Sequence, residues 1–121
     1  VKFNKKYFER VIHHEVFHLI NDSYKDFFIN EEWKKFNNSE FKYAKCSTCS
    51  DRLNLSPLVK TQGFLTEYSM STPSEDMAEI FSFLIKDKKT IENIALKDPV
   101  LSKKISYIKK NIIKIDKSFK F

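Results

Sequence analysis

A single glycine occurs in the 121 residues, with only three prolines. Tight hairpin turns draw heavily on glycine, so a many-stranded sandwich or barrel is excluded, and the chain reads as mainly helical with little or no sheet. No apolar run approaches the roughly 18 residues that a membrane-spanning helix needs. No secretory signal is visible either, and the chain starts at Val1, so the natural N-terminus is expected upstream, with this chain the C-terminal part of a longer protein. Membrane association is then expected only through an anchor lying before Val1. Charge of one sign does not dominate. The net charge is +6 with the lysines spread along the chain, whereas nucleic-acid binding needs a concentrated basic face or a known motif, so no nucleic-acid partner is expected. Cysteine is scarce, with one pair spaced as Cys46-Ser47-Thr48-Cys49. Two further ligands would be needed for a zinc knuckle, and the chain offers none nearby. The pair reads as a loop with two thiols or a local disulfide.

Apolar residues make up 41% of the chain and include 12 phenylalanines, enough for one small core domain over residues 1–121. Phe8, Val11, Ile12, Val16, Leu19 and Ile20 recur at helical spacing and predict a helix over 4–21, with a break at Asn21-Asp22-Ser23. Residues 24–36 suggest a second, less regular helix. Residues 40–63 carry both cysteines and show no strong period, and long irregular segments of this kind often shape sites. Thr72-Pro73-Ser74-Glu75 then has Thr at the N-cap, Pro at the first helical position and Glu at the third, predicting a helix to about Ile85. A short helix is expected over 88–97. Pro99 opens a final helix to about Asp116, with Leu101, Ile105, Ile108, Ile112 and Ile115 on a packed face and lysines on a solvated one.

All three histidines fall between positions 13 and 18, in "HHEVFH". His14 and His18 are four apart, so on a helix they lie one turn apart on nearly the same face, and both imidazoles can reach one small cation. Glu15 lies one step round the helix, where it can approach a water held by that cation. This is the physical content of H-E-x-x-H: two zinc ligands and a general base. His13 falls on another face. A hydrolytic zinc site needs a third protein ligand, and with no histidine left it must be a carboxylate. Glu75 and Glu79, four apart on the helix after Thr72, share a face. One can ligate the metal while the other accepts the outer N–H of a ligating histidine. Rival readings stay open: Glu75 as a mere capping-box residue with Glu79 the ligand, Asp22 reaching the metal if the first helix continues, and Tyr68 as a plain core aromatic.

"IHHEVFHLI" followed by "GFLTEYSMSTPSEDMAEIF" resembles the gluzincin metallopeptidases, most of all the bacterial zinc-binding metallopeptidases that are often lipoproteins, and more distantly the catalytic domain of anthrax lethal factor. The resemblance covers residues 8–86. It implies a zincin-like helical catalytic subdomain holding Zn2+, with His14, His18 and Glu75 as ligands, Glu79 supporting a histidine, Glu15 as general base and Tyr68 steadying the oxyanion. The substrate would be a peptide or protein, and the location secreted or cell-surface. Such enzymes usually carry a small sheet before the active-site helix, and this chain begins almost at that helix. A zinc-binding module without turnover, serving to bind a protein or glycan partner, is the second expectation.

Overall fold

The computed structural model describes residues 4–44, 46 and 61–121. Among the described residues five α-helices are formed: α1 (Lys5–Ser23), α2 (Asn30–Lys34), α3 (Pro73–Lys86), α4 (Lys88–Ala95) and α5 (Pro99–Ile115), with single 3-10 turns at Lys25–Phe27 and Tyr68–Met70. No strand occurs among the described residues.

The local chemistry accounts for most boundaries. Asn4 caps α1, its side chain accepting from the Tyr7 N–H. Thr72 caps α3 by accepting from the Glu75 N–H, with Pro73 in the first turn. Asp98 caps α5 through the Leu101 N–H. Each satisfies one of the N–H groups that a helix start leaves unpaired. The break expected at Asn21-Asp22-Ser23 does not occur: α1 runs on to Ser23 and ends only as the Tyr24 N–H closes on Ile20. The segment 24–36 resolves into the turn Lys25–Phe27 and the short α2.

α3 is the central element. Every residue from Glu75 to Leu84 is buried, and α1, α2, α4 and α5 all lie against it. An α-helix buried all round must be covered by its neighbours, and here four of them do so. The core gathers Phe17, Trp33, Met77, Ile80, Phe83, Ile91, Leu101 and Ile108. Full burial of such a side chain is worth roughly 1.5–3 kcal/mol each. Phe17 meets Phe28 edge to face at 5.0 Å, the geometry that aromatic quadrupoles favour.

Two faces differ from the expectation. The apolar spacing of α1 does not mark its buried side. Arg10, His14 and Phe17 are turned inward, whereas Leu19 is 68% exposed and Phe8, Ile12 and Val16 are also on the surface. Only Ile20 of that set packs on the core. α1 is rotated so that His14 meets α3, and polar contacts at that seam outrank its apolar stripe. On α5 the packed face is as expected, with Leu101, Ile105, Ile108 and Ile112 buried, but the lysines are not all solvated. Lys104 is fully buried, because position 104 lies three after Leu101 and four before Ile108 and so shares their face.

Candidate metal centre

Two helices build the site. His14 and His18 face α3 from successive turns of α1, and Glu75 and Glu79 face back from successive turns of α3. The His14 Nε2 lies 3.0 Å from Glu75 Oε1 and 3.1 Å from His18 Nε2. His18 Nε2 also contacts Glu75 Oε1. One ligand atom each from His14, His18 and Glu75 falls within 4.8 Å of the others, a grouping that could hold a metal ion.

The outer partners fix which nitrogens face inward. His14 Nδ1 is 2.8 Å from Glu79 Oε2, and a carboxylate can only accept, so Nδ1 carries the proton and Nε2 presents its lone pair. Glu79 is itself held by the Thr66 hydroxyl, which donates to Oε1 at 2.8 Å. On the other histidine, Ser74 Oγ lies 3.3 Å from His18 Nδ1, and Asn21 Nδ2 donates to Ser74 Oγ at 3.4 Å. Both Nε2 atoms therefore converge on one carboxylate oxygen.

Three lone-pair donors crowded together repel unless a cation or a proton lies among them. Tetrahedral zinc, with bonds of about 2.0–2.2 Å, spaces its ligands roughly 3.2–3.5 Å apart, close to the separations of His14 Nε2 from Glu75 Oε1 and from His18 Nε2, while His18 and Glu75 lie closer together than that. A divalent cation thus fits the donor set. Without one, a proton does the work. Burial opposes charge on His14, but its hydrogen bonds to Glu75 and Glu79 outweigh this and raise its pKa to about 9. Burial pushes Glu75 up, yet the hydrogen bonds from His14, His18 and Tyr68 prevail and hold it well below the usual carboxylate range. Both shifts describe a pocket built around positive charge.

The other candidates fall as follows. Tyr68 reaches the cluster: its hydroxyl bonds Glu75 Oε2 and its ring lies 5.7 Å from that of His14, so it is not merely a core aromatic. Glu75 is not engaged as a capping-box residue. Its backbone N–H binds Thr72, but its carboxylate is turned to the histidines and Tyr68. Asp22 is exposed and stays outside the donor group, although α1 does continue past it. Glu15 is exposed, next to His14 on the outer side of α1, and makes no hydrogen bond among the described residues. His13 does not join the cluster. Cys46 is disulfide-bonded, while Cys49 lies outside the described residues.

A second polar cluster sits behind the first. Asp76 is fully buried and its Oδ2 accepts from Lys104 Nζ at 2.8 Å, Trp33 Nε1 at 2.9 Å and Tyr43 OH at 2.6 Å. Lys104 also donates to the Gly63 carbonyl at 2.9 Å and lies 3.7 Å from the centre of the Phe64 ring. Desolvation drives the Asp76 pKa up and that of Lys104 down, and each partner's charge works against this. Sequence reasoning missed this network. It also missed Thr66, Ser74 and Asn21. Only Ser74, adjacent to Glu75, had a positional signal.

A mainly helical domain in which one helix offers two histidines and a second offers a carboxylate, each histidine held from behind, belongs to the class of helix-borne zinc sites. The chain belongs to the family described as "putative zinc-binding metallo-peptidase", whose model matches residues 2–117. It is therefore a member of a zinc-binding metallopeptidase family, with Zn2+ as its cofactor and peptides or proteins as the substrates of such an enzyme. The match takes in α4 and α5, beyond the stretch 8–86 on which the resemblance rested. No curated protein and no solved structure matches the chain, and the likeness to anthrax lethal factor has no support.

Proposed function

We propose that this chain is a gluzincin-type catalytic domain that hydrolyses peptide bonds. His14, His18 and Glu75 hold the zinc, and Glu79 keeps His14 in the tautomer that ligates. The observation that carries the reading is the convergence of two α1 imidazoles and one α3 carboxylate, 57 and 61 residues apart in sequence. Zinc, when bound, supplies a Lewis acid that polarises the carbonyl and makes water more acidic. Glu15 takes the proton of the attacking water as its oxygen bonds to the carbonyl carbon. It then delivers that proton to the amine nitrogen as the C–N bond breaks. The Tyr68 hydroxyl donates to the carbonyl oxygen as negative charge develops there. The disulfide at Cys46 supports a secreted or cell-surface location, because such bonds persist in oxidising compartments.

Substitution of Glu15 by Gln tests the reading and separates it from a silent zinc-binding module. Zinc content is expected to stay at one per chain while peptide hydrolysis falls by roughly 10²–10⁴-fold, the usual contribution of a positioned acid–base group. Unchanged hydrolysis in Glu15→Gln would remove Glu15 from the chemistry. Zinc-loaded wild type without hydrolysis of any peptide in a randomised library would leave the binding module.

A further inference from the structure

Thr66 lies on neither helix of the donor set, yet it touches both halves of the centre. It is fully buried, as is Ser69, so each hydroxyl must find its partners within the protein. The Thr66 hydroxyl donates to Glu79 Oε1 at 2.8 Å and accepts from the Ser69 N–H at 3.1 Å. The Ser69 hydroxyl answers it, donating to the Thr66 carbonyl at 2.5 Å and accepting from the Thr66 N–H at 3.3 Å. A hydroxyl has one hydrogen to give. The Ser69 N–H only donates and the Glu79 carboxylate only accepts, so the Thr66 hydrogen is committed to Glu79.

Residues 66 and 69 bracket the start of the turn Tyr68–Met70. Their hydroxyls and backbone groups pair reciprocally across three residues, and the Met70 N–H closes on the Glu67 carbonyl at 3.0 Å. The backbone of Tyr68 is held between them, and its hydroxyl meets Glu75 Oε2. On the other side, Glu79 presents Oε2 to His14 Nδ1 at 2.8 Å, and Thr66 is the side-chain donor to Oε1 among the described residues. One hydroxyl therefore contacts the group that orients His14 and also locks the turn that brings in Tyr68.

We propose that Thr66 is a positioning residue that sets two parts of the centre at once: the ligand His14, through Glu79, and the Tyr68 hydroxyl, through the lock with Ser69. The Tyr68 half rests on the peptidase reading. The Glu79 half concerns metal affinity alone and does not. Valine at position 66 keeps the shape of the side chain but leaves Glu79 Oε1 and the Ser69 N–H without their partner. Serine keeps the hydroxyl.

The test compares wild type with Thr66→Val, Thr66→Ser and Ser69→Ala. Zinc dissociation constants are read by competition with a chromophoric chelator, and kcat and KM at saturating zinc on blocked peptides chosen from a randomised library. In Thr66→Val the zinc dissociation constant is expected to rise roughly fivefold, below the 10–100-fold of an outer partner that touches the ligand itself. Its kcat should fall roughly tenfold with KM unchanged, less than the 10²–10³-fold of removing an oxyanion donor outright. Combined with Tyr68→Phe, the loss should be clearly smaller than the product of the two single losses, as for residues that act as one unit. Thr66→Ser should restore both readouts. Ser69→Ala keeps the bond from Thr66 to Glu79 and loosens only the turn, so it should lose kcat and keep zinc affinity. Wild-type zinc affinity in Thr66→Val, or a kcat loss that multiplies with that of Tyr68→Phe, would overturn the proposal. Where Thr66→Val does not fold, two other proteins decide. Ser69→Ala should show the split just described, and Glu79→Gln should shift the amide resonance of Ser69, to which Thr66 connects it; failure of either overturns the proposal. Weakened zinc binding in Thr66→Val with no turnover in any protein, wild type included, would overturn the peptidase reading and the Tyr68 half with it, while supporting Thr66 as the residue that positions His14.

Discussion

Replacing Glu79 with Gln removes one charge from behind the metal site while keeping the shape of the side chain. In the native protein Glu79 is 1% exposed, with His14 Nδ1 2.8 Å from one oxygen and the Thr66 hydroxyl 2.8 Å from the other. Hydrogen bonds to a charged group contribute about 1.5–3 kcal/mol, and neutral ones about 0.5–1.5. Converting the first kind to the second at His14 weakens the ligand's orientation and basicity by about 1–1.5 kcal/mol, and every 1.4 kcal/mol is roughly tenfold in affinity. The zinc dissociation constant is therefore expected to rise about tenfold in Glu79→Gln. In Glu79→Ala, where His14 and Thr66 both lose their acceptor, it should approach the hundredfold upper range for such outer partners. Glu75→Ala should abolish binding. Competition against a chromophoric chelator at fixed pH measures all three. Zinc binding by Glu79→Gln within twofold of wild type would refute this role for Glu79. Loss of all zinc in Glu79→Ala with zinc kept in Glu75→Ala would instead make Glu79 the ligand.

Lys104→Met should destabilise the fold by about 3–5 kcal/mol in urea denaturation, since it strands a fully buried Asp76 carboxylate and leaves the Gly63 carbonyl without its donor; a loss below about 1 kcal/mol would show that Asp76 is neutral in the fold. The pH dependence of zinc binding follows from His14. In the metal-free protein its pKa is raised to about 9, so below that pH zinc has to displace a proton. The apparent affinity is expected to climb with pH and level off near 9, with about one proton released per zinc at pH 7, measured by calorimetry in buffers of different ionisation enthalpy; no buffer dependence would contradict it.

The centre was legible because its residues obey helical spacing. Positions 14 and 18, and positions 75 and 79, each differ by four, so any helix through them brings their side chains together, and the cap at Thr72 announces that the second helix starts in register. Tyr68 was legible only through the resemblance, since nothing in its spacing distinguishes it from the other aromatics. Three things were hidden. The rotation of α1 was masked because its exposed face carries Phe8, Ile12, Val16 and Leu19, and apolar periodicity reads such a stripe as the inner one. Lys104 was hidden by its charge, although its position among Leu101, Ile105 and Ile108 already placed it inward. Thr66, Ser74 and Asn21 act through tertiary contacts of single hydroxyls and amides, and no pattern in the chain encodes those.

Glu75 and Asp76 are neighbours in the chain, yet they face different neighbours, because successive helical residues are turned by about 100°. Glu75 meets the imidazoles of α1, while Asp76 meets Lys104 of α5 and, through Trp33 and Tyr43, the α2 side of the molecule. The first turn of α3 is thus held from both flanks by charge. The flanks are not equivalent. Behind Asp76 the counter-charge is covalently part of the chain. Before Glu75 the buried carboxylates of residues 75 and 79 face imidazoles whose positive charge depends on a proton or a metal. A bound cation therefore stabilises the folded protein as well as completing the site, by about 4 kcal/mol when present at a thousand times its dissociation constant. Chelation should lower the melting temperature of wild type and leave that of Glu75→Ala unmoved, because the latter has no donor set for the cation to complete.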